Sequence, residues 1–217
     1  MEQILILVGE STLETLLMVF FSTVFAILIG FPLGVLLNIT NTFGITPRPV
    51  FNLVLSRIID VLRSFPFVIL MIVLLPLTRL ILGTAIGTGA TIIPLSIAAA
   101  PFVARITETA LNEVDSGVVQ AARSMGSTNW QIIYKVLIPE SMPSVVSGIT
   151  LTIINLVSYS AMAGTLGGGG LGDLAIRYGY QRFRTEIMIA AVVVIIILVA
   201  LIQFAGTRLT NKILSKR

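Results

Sequence analysis

Three glycines, Gly167, Gly169 and Gly172, stand at the G-x-G-x-x-G spacing that lets a backbone approach a pyrophosphate. The chemistry this could serve is nucleotide binding, and the surroundings refute it. The fingerprint works between a strand and a helix of a βαβ unit, whereas here it follows a long uncharged run, and no lysine completes a phosphate loop. The chain has neither histidine nor cysteine, which removes disulfides, thiol nucleophiles, imidazole proton relays and most zinc and haem sites. Tyr159, Ser160 and Met162 lie just before the glycines and form no catalytic constellation. They read as core packing, with Met162 also suited to an adjustable seal because its thioether is flexible. Arg177, Arg182 and Arg184 flank Tyr178 and Tyr180, the composition of an interfacial belt or of a landing site for an acidic partner.

The elements that must position these groups are apolar. Hydrophobic residues make up 56% of the 217, charged residues 11%, and the mean hydropathy is +1.02, the profile of an integral membrane protein. Uncharged runs cover 15–47, 64–78, 80–104, 141–172 and 187–207, and four of the five exceed the roughly 18 residues that a spanning helix needs. The run 64–78 is short, but its helix can begin near Leu53. Arg57, Asp60 and Arg63 would then share a face near one end, where charges pair or snorkel to the headgroups. A half-membrane hairpin over 64–78 is the alternative. The expected fold is all-α, a single transmembrane domain over 1–217, with five spans near 15–38, 56–78, 84–106, 143–165 and 187–208.

An odd number of spans puts the termini on opposite sides. Arg48, Arg57, Arg63, Arg105, Arg123, Lys135, Arg208, Lys212, Lys216 and Arg217 collect on one side, and Arg79, Arg177, Arg182 and Arg184 on the other. Ten cations against four place the C-terminus in the cytoplasm and the N-terminus outside, where Glu2, Glu10 and Glu14 are the only charges of the first 14 residues. No positive n-region precedes the first apolar run, so it is expected to stay in the protein as a span. The net charge of +4 is explained by this topology and needs no nucleic acid. Mid-span ionisable groups are missing, which argues against a carrier driven by protons or sodium through buried carboxylates.

Residues 115–139, DSGVVQAARSMGSTNWQIIYKVLIP, are a polar island between the third and fourth spans. Asp115 or Ser116 can cap a first short helix, Gly126 ends it, and Thr128 with Gln131 makes a T-x-x-Q capping box for a second, which Pro139 is expected to stop. Val118, Ala122 and Met125 fall at i, i+4 and i+7 and make a narrow apolar stripe, beside which Ala121 and Ala122 leave the backbone approachable. That is a docking surface for a partner. Elsewhere small residues recur at four-residue spacing, Ala26, Gly30 and Gly34 in the first span and Ser144, Gly148 and Thr152 in the fourth, and they let helices pack closely. The glycines of 164–172 are expected to break the fourth helix near the outer surface and admit a closely packed re-entrant loop.

Gln120-Ala121-Ala122, then Gly126, then Val136-Leu137-Ile138-Pro139 resembles the EAA loop of permease subunits of ABC importers, whose pattern is EAA, three residues, G, nine residues, I-x-L-P. Gln120 stands where that family usually has glutamate, Val136 where it has isoleucine and Ile138 where it has leucine. The resemblance covers nearly the whole chain and narrows to the methionine-importer permeases, through LRSFPFVIL (62–70), AAAPFVARITETAL (98–111), YSAMAGTLGGGGLGDLAIRYGY (159–180) and LIQFAGTRL (201–209).

The resemblance implies a bacterial inner-membrane homodimer on two cytoplasmic ATPase subunits, with a methionine-binding protein docking outside. ATP and Mg would belong to the ATPase, and this chain would hold no cofactor and catalyse nothing. Val118, Gln120, Ala121, Ala122, Met125, Gly126, Trp130 and Pro139 would form the coupling surface. Tyr159, Ser160 and Met162 would lie on the path or gate, and Arg177, Arg182 and Arg184 at the outer docking face. Two other readings stay open: an ABC importer for another small amino acid or an osmolyte, and a channel or ion-coupled carrier that works alone.

Overall fold

The computed structural model describes residues 2–215, with side chains from Ile4 onward, and every regular element among them is helical. Glu2, Lys216 and Arg217, which enter the charge count, have side chains outside the described part. The first helix, α1 (Glu2–Thr40), is followed by α2 (Pro49–Ser64), α3 (Phe67–Leu82) and α4 (Thr88–Asn112). Four candidate spans stand out by length and hydropathy, namely Ile4–Thr40, Thr88–Asn112, Asn129–Gly164 and Thr185–Leu214, and α2 with α3 makes up to a fifth.

The expected second span, 56–78, is not one helix. It breaks at Phe65-Pro66, and α2 and α3 meet at 104°. Proline disfavours the α conformation at the residue before it, and Phe65 sits extended at φ −71°, ψ 127°. The expected pairing within Arg57, Asp60 and Arg63 is replaced by one across helices: Asp60 pairs with Arg105 of α4 at 2.8 Å, and Arg105 also meets Glu108 at 2.7 Å.

The core is built around α4. Its small-residue face meets α1 at Gly30 and Gly34, where an added Cβ would strike the carbonyl oxygens of Ala100 and Ala104, so that stripe packs within the chain. Gly148 on the fourth span abuts Ile106 in the same way. Met18, Ala26, Phe67, Met71, Leu95, Val103 and Leu156 close the central cluster. Many buried hydroxyls satisfy themselves on their own helix, as Thr23 does on the Val19 carbonyl (2.7 Å) and Thr152 on that of Gly148 (2.9 Å), which is how polar side chains survive in hydrocarbon.

Candidate functional site

At one end of the bundle, α5 (Ser116–Ser124) and α6 (Asn129–Ile132) follow α4. Their grammar follows from the residues. The Asp115 carboxylate accepts the Gly117 N–H at 2.8 Å, and Gly126 turns the chain at φ +81°, which suits a residue without Cβ. The Thr128–Gln131 capping box is closed in both directions, at 2.8 and 3.3 Å.

Pro139 does not stop the second helix. A π-helical turn over Ile133–Leu137 carries the chain directly into α7 (Ile138–Gly164), and the Ile138 N–H reaches the Ile133 carbonyl five residues back. In an α-helix the Pro139 ring would collide with the carbonyl four residues earlier; the wider turn relieves that clash and places Pro139 at the start of α7, where proline is tolerated. The second short helix is therefore the leading end of a 36-residue helical run.

The apolar stripe also resolves differently. Ala122, with Val119, turns inward and packs on Leu111, Ile132, Ile133 and Leu137. Val118, Ala121 and Met125 remain exposed, and Met125 and Trp130 are 86% and 74% accessible, too much for side chains that pack only within this chain. Tyr134, which the sequence reading passed over, joins them on the π-helical turn. Gln120 is exposed on the rim of a cavity of about 360 Å³ that Asn38, Asn112 and Arg123 also line.

At the opposite end, α7 stops at Gly164, and α8 (Gly170–Asp173) continues as a π-helical stretch over Leu174–Tyr180 before α9 (Thr185–Leu214). The glycine segment folds back as expected. An added Cβ on Gly172 would strike the backbone of Ala161, and one on Gly164 the backbone of Asp173. The loop is held from two further sides. Gly87 donates its N–H to the Gly167 carbonyl (2.9 Å), while the Glu14 carboxylate and Thr15 hydroxyl of α1 accept the N–H groups of Gly170 (2.6 Å) and Leu171 (2.9 Å). Sequence reading missed Glu14 as a clamp; its only signal was a lone acid at the border of an uncharged run.

The three path candidates do not share one surface. Tyr159 stacks on Phe67 with centroids 4.7 Å apart, Ser160 is buried and donates to the Val157 carbonyl at 2.7 Å, and Met162 is 45% exposed beside the loop. Of the three arginines at this end, Arg177 pairs with Asp173 and leans on Tyr178, Arg182 lies over the same ring at 4.5 Å, and Arg184 meets Glu186 at 3.2 Å. Between Arg182 and Arg184, Phe183 is 89% exposed and adopts a positive φ of 55°. Among the described residues no group of His, Cys, Asp and Glu could hold a metal ion.

The molecule is a helical membrane bundle with a capped, exposed helix pair at one end and a clamped glycine loop at the other. Residues 27–216 match the family described as binding-protein-dependent transport system inner membrane component, and the chain belongs to it. Within that family the chain is 52% identical over 206 residues to the probable D-methionine transport system permease protein MetI of Pasteurella multocida (strain Pm70), covering 95% of each. It is 46% identical over 182 residues to the methionine import system permease protein MetP of Bacillus subtilis (strain 168), covering 84% of this chain and 82% of that one. A solved structure titled inward facing conformations of the MetNI methionine ABC transporter superimposes with a TM-score of 0.96 at 44% identity, covering 98% of this chain and 99% of its own.

Proposed function

We propose that this chain is the membrane subunit of an ATP-driven methionine importer. It works as a homodimer above two cytoplasmic ATPase subunits and takes its cargo, either stereoisomer, from an extracytoplasmic binding protein. The observation that carries the reading is the outward-facing apolar set Val118, Met125, Trp130 and Tyr134 on a capped helix pair, in a chain with high identity to methionine permeases. Exposed apolar groups on short, well-formed helices are what a groove on an ATPase would bury.

The mechanism is alternating access. The chain supplies two packings of its spans close in free energy, and the nucleotide state of the ATPase selects between them through residues 115–139. The glycine loop and Met162 stand near the outer mouth, where a flexible thioether seals a path without a fixed ligand. Arg177, Arg182 and Arg184, outside the last span, face an acidic surface of the binding protein. The N-terminus is outside and the C-terminus cytoplasmic, the orientation that puts Arg48, Arg123 and Lys135 on the ATPase side.

The test is uptake of radiolabelled methionine into proteoliposomes containing this chain, its ATPase and its binding protein, with ATP inside. ATP-dependent entry that excess methionine blocks and other amino acids do not is the expected result. Entry without ATP, driven by an ion gradient, would instead identify a carrier.

A further inference from the structure

A cavity of about 680 Å³ opens between α2, α4, α7 and α9, at the same end of the bundle as α5 and well within the ~300–1,000 Å³ range of small-molecule sites. It lies apart from the glycine loop and next to the start of α5, where Glu113 and Ser144 of its wall also line a smaller pocket with Asp115 and Val118. Its walls carry both signs of charge on an apolar body, with Arg63 and Glu113 beside Phe102, Ile106, Leu151 and Leu214.

The two arginines in it are not equivalent. Arg105 is committed to Asp60 and Glu108 and to the Ser56 carbonyl. Arg63 rests over the Phe102 ring at 5.7 Å and has no carboxylate partner among the described residues. Its guanidinium is therefore available for a bidentate anion. Glu113 accepts the Ser144 hydroxyl through Oε2 at 2.6 Å and keeps further acceptor capacity. The Thr210 hydroxyl, also on the wall, is buried without a hydrogen-bond partner, an orphan that a polar ligand would satisfy.

We infer that this cavity is a transient site for a small apolar amino acid in zwitterionic form, with its carboxylate on Arg63, its ammonium on Glu113 and its side chain on the Phe102 and Leu151 wall. The site rests on the reading of the chain as a methionine importer and adds where the cargo pauses before release. Separated opposite charges flanking an apolar wall select a zwitterion over a simple anion, which Glu113 repels.

The chain contains no cysteine, so Ser147→Cys on the cavity wall places a unique thiol there, and Leu214→Cys gives a second reporter should the first misfold. The complex with its ATPase, in nanodiscs, is alkylated with a maleimide in the presence of methionine. Methionine and norleucine slow the labelling; methionine methyl ester, which lacks the carboxylate, and N-acetylmethionine, which lacks the ammonium, do not. Arg63→Gln and Glu113→Gln each raise the half-protecting concentration about tenfold or more, since a lost charge-assisted bond contributes at least the ~1.4 kcal/mol that a factor of ten represents, and Arg63→Lys restores part of it.

Uptake by the unsubstituted complex is measured alongside. Uptake without protection overturns the site alone, and absent uptake overturns the cargo reading. Equal protection by both blocked derivatives, protection that persists in Arg63→Gln, or a thiol shielded by phosphatidylethanolamine or phosphatidylglycerol rather than by methionine also overturns the site; the last would make it a lipid pocket.

Discussion

Gly126 follows a helix and Gly172 lies within one, and they are glycine for opposite reasons. At Gly126 an added Cβ would meet nothing within 4 Å, and the residue is required by its φ of +81°. At Gly172 the backbone is ordinary helix, and the residue is required because Ala161 leaves no room. The end that carries the helix pair is thus specified by conformation, with Val118, Met125 and Trp130 left uncovered. The glycine-loop end is specified by space, with its backbone clamped from α1, α7 and the segment before α4. An exposed turn must hold its shape without burial, whereas a closely packed loop is held by the atoms around it.

The sharpest way to break this contrast is Gly172→Leu. Overpacking against backbone costs ~3 kcal/mol or more, so the protein should be lost from the monodisperse peak of a detergent gel filtration. A well-folded variant would show that the loop end is loose. Glu14→Gln comes next. Exchanging a charge-assisted bond to the Gly170 N–H for a neutral one costs roughly 1–2 kcal/mol, read as a lower thermal midpoint, with Glu14→Asp no substitute because its carboxylate falls short.

Gly126→Val forces a β-branched residue into the left-handed region at about 1–2 kcal/mol, borne locally on an exposed turn. The variant should fold at nearly normal yield and lose most methionine uptake; full uptake at normal expression would remove the coupling role of the pair. Thr128→Ala, deleting one half of the capping box, is the mildest at about 1 kcal/mol, and uptake should fall by less than in Gly126→Val.

Features whose causes are local in sequence were legible. The Asp115 cap, the Gly126 turn, the Thr128–Gln131 box and the folding back of the glycine segment each depend on a few neighbouring residues, and each appears in the structure. The break at Phe65 was also written locally, in Pro66, but counting apolar residues to a span length overrode it. Pro139 misled for the converse reason, since a proline stops a helix only while the turn before it is α, and a π-helical turn changes the register. Ala122 turned inward because the face a short helix buries is chosen by what it lies against, here Leu111 and Ile132 of the flanking helices, not by its own periodicity. Glu14 finds its partner 156 residues away, a pairing that no local pattern encodes.

The π-helical turn at Ile133–Leu137 has one further consequence. Because it joins α6 to α7 with no loop, Trp130 and Met162 ride on the same 36-residue rod, roughly 50 Å long at the α-helical rise. No loop interrupts it between these two residues. Pivoting by ~5° about its middle would carry each tip through about 2 Å in opposite senses. A single stretch of backbone thus joins the exposed helix pair at one end of the bundle to the glycine loop at the other.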